Sequence, residues 1–286
     1  MRRTWEDLPP KTRAAIEEHT GRVEHATPHH VGEHSDITAV LHTETRTLFL
    51  KGMQTDPETP DLWALRREAR INPAVVGLAP RLLHNVEAEG WHLLAYEHIE
   101  ARHADYQPGS PDLARLEAVI HRLQTIDAPD LKIPVGRRWT DLGDISALEG
   151  DTVIHADLNP GNLLITPDED AFLVDWGFAS RGAAWTELAL LAQWLLKAGH
   201  TPEQAEAWLS RFPAWTSLPA ATLTNFAEMN AAFWITAADR IAEPWAHELR
   251  HLTGHWAEYR RGLPCTNHDK STRPGTSPSS TAPPSP

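Results

Sequence analysis

Residues 152–177 read TVIHADLNPGNLLITPDEDAFLVDWG, and the rest of the chain is interpreted around them. Two short apolar runs, Leu163–Ile165 and 171–174, flank a turn-forming segment rich in proline and aspartate. That pattern predicts a β-hairpin buried on at least one face. A polar loop, 155–162, precedes it, and the second strand is apolar until it closes on Asp175. A carboxylate at that position is presented at an edge.

Three polar groups, Asp157, Asn162 and Asp175, are therefore expected to converge. Hard oxygen donors of this kind suit magnesium, which takes carboxylate, amide carbonyl, water and phosphate in tight octahedral geometry. A further carboxylate free of the metal could orient an attacking hydroxyl. Any one of these residues would pass as ordinary turn chemistry, since Asp, Asn, Pro and Gly dominate turns. The complete string H-x-D-x-x-x-x-N, followed thirteen residues later by D-W-G, is much harder to explain that way. It matches the catalytic-loop and metal-loop pattern of kinases, in which one Asp accepts the substrate hydroxyl proton while an Asn and a second Asp hold metal.

HADLNPGNLLI and FLVDWG resemble the aminoglycoside phosphotransferase family, the small-molecule branch of the protein-kinase-like superfamily that also includes choline kinases. That family usually writes the loop H-G-D-x-H-P-x-N. Here Ala156 stands for the Gly and Asn159 for the second His, and neither change removes a metal donor or the base. The residue before Asp157 is not the Arg of protein kinases, which argues against a phosphorylation-regulated protein kinase. The resemblance covers about residues 20–262 and is strongest over 152–200.

The resemblance implies an α+β, two-lobed protein-kinase-like fold with a small β-rich N-lobe and a larger, mainly helical C-lobe. The expected boundaries are 1–99, 100–262 and a tail at 263–286. It implies transfer of the γ-phosphoryl group of ATP or GTP to a small-molecule hydroxyl, with Mg2+ as cofactor. Asp157 would be the catalytic base, and Asn162 and Asp175 the metal ligands. Two rivals stay open: a non-catalytic nucleotide-binding or regulatory module on the same fold, and a kinase of a metabolite such as an amino alcohol or sugar.

Upstream, ITAVLHT (Ile37–Thr43) and RTLFLKG (46–52) are β-rich runs joined by a polar turn. Alternation puts Lys51 on the side of Phe49. In kinases the lysine here pairs the nucleotide phosphates. Thr59-Pro60-Asp61 predicts a helix start with cap, proline and acid, followed by a stripe of Leu62, Leu65 and Ala69. Glu68 lies beside that stripe and can face the sheet to hold Lys51. Ahead of the strands, Gly32 and Ser35 occupy the place of a phosphate-covering loop, a reading balanced against an ordinary turn. A further hairpin, 81–86 and 91–96, leads in the family to the adenine-reading hinge, which places Glu97, His98 and Ile99 there.

Among 17 histidines, His155 reads as a buried brace of the catalytic loop rather than a metal ligand. Glu187 stands where the family has an acid, commonly Asp, that steadies this loop. Residues 185–196 are apolar on nearly every side, which predicts a central helix. Two amphipathic helices follow, and the acids Glu203, Glu228 and Asp239 could meet an amine as readily as lie on the surface.

The 286 residues suffice for one large or two modest domains. Lysine and arginine number 26 against 39 acids, a net charge of −13, which argues against broad nucleic-acid or anionic-membrane binding. That balance is compatible with a cationic acceptor. A lone cysteine, Cys265, excludes an internal disulfide and fits a reducing compartment. No apolar run approaches the roughly 20 residues of a membrane span, and the first ten residues lack a signal-peptide core, so a cytoplasmic location is expected. From residue 264 the composition is too polar to offset ordering entropy, which predicts a disordered tail.

Overall fold

A computed structural model describes residues 3–29, 35–55 and 62–263. Gly32, the helix start at 59–61 and the tail from residue 264 lie outside them.

Helix α1 (Pro10–Thr20) ends at Gly21 and is followed by β1 (Val23–Pro28), β2 (Ile37–Thr43) and β3 (Thr47–Gln54). After α2 (Leu62–Val75) come β4 (Leu82–Ala88) and β5 (Trp91–Glu97), turned through Glu89 and Gly90, both at positive φ. The five strands form one antiparallel sheet in the order β1-β2-β3-β5-β4. The two-residue period divides its side chains. Ile37, Ala39, Leu41, Leu48, Leu50, Trp91, Leu93 and Ala95 form a core with Trp5, Leu8 and Ile16 on one face. On the other face Leu94, Tyr96 and Met53 pack with Leu65 of α2, and Val40, Phe49 and Lys51 line a cavity.

The chain then leaves through a short strand, β6 (Arg102–His103), before α3 (Asp112–Leu123). Asp112 is buried and accepts from both terminal nitrogens of Arg102, at 2.6 and 2.8 Å. Two 3-10 turns, Val135–Trp139 and Ser146–Leu148, lie between α3 and the catalytic stretch of sequence. Next come β7 (Thr152–Ile154), the hairpin β8 (Leu163–Ile165) and β9 (Ala171–Leu173), and β10 (Ser180–Gly182). β9 stops short of Val174, one residue earlier than its apolar run. β6 adds itself to the hairpin as an outer strand, and β10 pairs with β7.

Helix α4 (Trp185–Lys197) is buried along nearly its whole length, because almost every side of it is apolar. It runs at the centre of a large core with α3, α5 (Pro202–Leu209), α6 (Pro213–Thr216), α7 (Ala220–Ile241) and α8 (Pro244–Gly262). The tryptophans of these helices are mainly packing residues: Trp208, Trp215, Trp234 and Trp256 are all buried. Among the described residues no helix is long and apolar enough to cross a membrane.

Candidate active site

The polar groups of the loop 155–162 bond to one another and to their neighbours. His155 is fully buried, and burial pushes its imidazole down to about 4, so it is neutral near pH 7. Its Nε2 lies 3.0 Å from Val174 O, and its Nδ1 accepts the Asp157 N–H at 3.3 Å. Those two contacts fix the proton on Nε2. Trp176 packs edge-on against the ring, centroids 4.7 Å apart.

Glu187, the first-turn acid of α4, takes the backbone N–H groups of His155 and Ala156, the latter at 3.2 Å. It is 1% exposed, and burial raises its carboxyl to about 7 against the pull of those hydrogen bonds. Ala156 has φ +68°, the left-handed region in which glycine is relaxed and other residues are strained.

Asp157 is held from two sides. Asn159 Nδ2 donates to its Oδ2 at 3.1 Å, and Asn162 Nδ2 donates to the same oxygen and to the Asp157 carbonyl, both at 3.0 Å. Burial raises the carboxyl to about 6, while the amide donors and the Arg138 charge oppose the rise. With both Nδ2 contacts made to Asp157, Asn162 keeps its side-chain oxygen as an acceptor. Val174 N donates to Asn162 O at 3.0 Å, so the hairpin fixes Asn162 next to the end of β9.

Asp175 follows with φ +64° and ψ +60°, a left-handed turn that aspartate tolerates better than most residues. Lys51 Nζ lies 2.8 Å from Asp175 Oδ1 and 2.8 Å from Glu68 Oε2. Desolvation works against the ammonium, but the two carboxylates outweigh it and raise its pKa. Behind this triad, a Cβ on Gly177 would sit 3.0 Å from Ala64 Cβ, tighter than van der Waals contact. Glycine there lets α2 lie close on the Asp175 segment, and so brings Glu68 within reach of the lysine.

These groups border a cavity of about 390 Å³ between the sheet and the β8–β9 hairpin. Lys51, Glu68, Asn162 and Asp175 line it, together with Ser35, Glu97, His98 and Ile99. Ser35 is buried there, whereas Gly32 is outside the described residues. Val40, Ala79, Leu164 and Leu173 supply apolar walls.

The donor set fits a hard divalent cation. Two carboxylates share one lysine charge, and Asn162 offers an amide oxygen beside them. No group of three or more His, Cys, Asp or Glu able to hold a metal occurs among the described residues. A metal here would thus take most of its shell from phosphate oxygens and water, as magnesium with a nucleotide does.

Some contributors carry no sequence signal. Asn159 looks like a loop residue until its amide is seen on Asp157. Arg138 lies in a link with no periodic pattern. Its guanidinium sits 5.5 to 6.0 Å from the rings of Phe178, Trp139 and Phe233 and within electrostatic range of Asp157. Of the acids considered for an amine, Glu228 pairs with Arg261 and Asp239 with Arg250 on the surface, and Glu203 is exposed.

The sequence model of the Phosphotransferase enzyme family matches residues 139–221, the part that holds Arg138's neighbour Trp139, the catalytic loop, Asp175 and Glu187. No curated protein sequence matches the chain. Among solved structures, choline kinase LicA from Streptococcus pneumoniae superposes with a TM-score of 0.60 at 15% identity, covering 86% of this chain and 98% of that one. Aminoglycoside phosphotransferase APH(4)-Ia, solved as a ternary complex with ADP and hygromycin B, gives 0.60 at 14% identity over 88% and 98% of the two chains. AMP-bound spectinomycin phosphotransferase APH(9)-Ia gives 0.57 at 11% identity over 87% and 93%. Residues 139–221 therefore match the Phosphotransferase enzyme family, and the chain has the two-lobed kinase-like fold of aminoglycoside phosphotransferases and choline kinase.

Proposed function

We propose that the protein is a small-molecule phosphotransferase that moves the γ-phosphoryl group of ATP or GTP to a hydroxyl. The observation that carries this reading is one connected network: Asp157 bonded to Asn162, Asn162 fixed beside Asp175, and Asp175 paired with the Lys51–Glu68 couple. The nucleotide base would lie against Val40, Ala79 and Leu173, with backbone groups of 97–99 reading its edge.

In this reading Lys51 orients the phosphates, and Glu68 holds it extended. Asn162 and Asp175 would hold magnesium, which when bound neutralises charge on the phosphate oxygens. Asp157 accepts a hydrogen bond from the acceptor hydroxyl, aligns it in line with the phosphorus and takes its proton as the new O–P bond forms and the bond from the γ-phosphorus to the β–γ bridging oxygen breaks, the nucleoside diphosphate leaving with that oxygen. His155 and Glu187 keep that carboxylate in register by fixing the loop backbone. Catalysis is then mainly positioning and charge complementarity, because the transferred group needs little covalent help. The neighbouring complexes with ADP and AMP support a nucleotide co-substrate.

A coupled assay for nucleoside diphosphate release, run with ATP and GTP against a panel of hydroxyl-bearing antibiotics, amino alcohols and sugars, tests the activity. Asp157→Ala is expected to lower turnover by about 10²–10⁴-fold while nucleotide binding stays within twofold of wild type. Wild-type turnover in that variant rejects Asp157 as the base. Nucleotide binding with no acceptor phosphorylated across the panel would favour a binding module instead.

A further inference from the structure

A second cavity, of about 550 Å³, opens between α2 and residues 128–133, and it shares no lining residue with the first. Arg66, Arg67, Arg70 and Lys132 line it against a single acid, Asp130. Arg66 reaches Glu87 at 3.5 Å. Among the described residues, Arg67, Arg70 and Lys132 have no carboxylate within ion-pair distance.

Arg67 is the most constrained of the group. Its Nη1 donates to Ala179 O at 3.2 Å, and its guanidinium lies 4.5 Å from the Trp63 ring. Its Nε is buried without a partner among the described residues. Burial, together with the charges of Arg137, Arg138 and Arg70, holds its pKa down at about 10. Cations are thus gathered at a concave, partly apolar wall with few acids among the described residues, an arrangement that favours an anion.

We propose that this cavity is a binding site for a small dianion of the phosphate class, gripped by Arg67, Arg70 and Lys132 with its organic part against Trp63, Ile71 and Pro129. Among the described residues the four cations face two acids, Asp130 in the cavity wall and Glu87 beside Arg66, a surplus of two positive charges that matches a phosphate monoester of about −1.5 to −2 near neutral pH. Arginine forks supply paired donors to such an oxyanion, and lysine adds a mobile point charge. The site rests on these residues alone and does not depend on the phosphotransferase reading.

Inorganic pyrophosphate is the probe, titrated calorimetrically into the full chain at constant ionic strength. Three proteins are compared: wild type, Lys51→Ala, and the double variant Arg70→Ala, Lys132→Ala. Both residues of the double variant are exposed, so its fold should stand; Lys132→Gln gives the same direction if it does not. Wild type and Lys51→Ala are expected to bind alike, and the double variant to bind about tenfold or more weakly, the effect of losing charge-assisted hydrogen bonds. Three results would overturn the site: no heat with wild type at millimolar probe, equal affinity in the double variant, or loss confined to Lys51→Ala.

Discussion

Two cation–carboxylate clusters, one centred on Arg260 in the helical half and one on Lys51 in the cleft, differ in how completely they are satisfied. In the helical half, Arg260 Nη1 meets Glu206 Oε2 at 2.7 Å while Trp256 Nε1 donates to Oε1 at 2.8 Å. The other Arg260 nitrogens go to Thr224 Oγ1 and Ala220 O. One charge cancels one charge, and the remaining donors are used locally. In the cleft, Lys51 is shared by Glu68 and Asp175, which leaves a surplus negative charge beside the amide oxygen of Asn162 and the carboxylate of Asp157. A completed cluster is scaffold. An incomplete one, open to a cavity, is arranged for something that arrives with the missing charge.

The sharpest way to break that contrast is Asp175→Ala. Removing one of the two competing carboxylates should leave the fold standing, since Lys51 keeps Glu68, yet abolish the thermal stabilisation given by magnesium and nucleotide together. Turnover should fall by about 10³-fold or more, as expected when a group that orients charge at the reacting phosphate is lost. Unchanged thermal shifts with magnesium-nucleotide would remove Asp175 from the site. The opposite profile is expected of Arg260→Met. It leaves the half-buried Glu206 with only the Trp256 N–H as a partner, at a cost of about 1–3 kcal/mol in denaturant unfolding, while turnover per folded molecule is unchanged. Adding Glu206→Gln should recover much of that loss. If the single variant costs almost nothing, the helical-half pair is not the closed scaffold described above.

Glu187 sharpens the comparison through pH. Its folded pKa of about 7 lies above the ordinary 4.5, so between those values the unfolded chain has lost a proton that the folded protein keeps. Its contribution therefore becomes less favourable as pH rises from 5 to 8, by at most about 3 kcal/mol for a shift from 4.5 to about 7. Glu187→Gln cannot titrate, so the stability of the variant relative to wild type should climb over that range. A difference independent of pH would show that Glu187 is ionised throughout. The smallest effect is expected from Ala156→Gly, which relaxes φ +68° at the position where related loops carry glycine. A gain of about 1 kcal/mol or less, seen as a modest rise in Tm, would separate loop strain from loop chemistry.

Legibility from sequence followed the range of the interactions. The hairpin, the strand carrying Lys51 and the central helix α4 were readable because period and composition are local properties. Asp157, Asn162 and Asp175 were readable because one short segment carries all three. The pairing of β3 with β5 rather than β4 was not, nor was the addition of β6 to the β8–β9 hairpin, since each depends on contacts between distant segments. Asn159, Arg138 and Arg67 show the same limit at the level of side chains. Asn159 resembles any turn residue, and the two arginines any surface cation, until the fold sets an aspartate, three rings or a second row of guanidiniums beside them.

The strand β6 has a mechanical consequence. It begins only a few residues after the segment that would read the base, and it is stitched to the hairpin through Arg102↔Ile165 and the Ala104 N to Leu163 O bond of 2.9 Å. The chain just beyond residues 97–99 and the two residues at the ends of that hairpin, Asn162 and Asp175, thus share one small sheet. A swing of the five-stranded sheet about 98–101 would raise or lower the roof over the phosphates while the floor beneath them kept its dimensions.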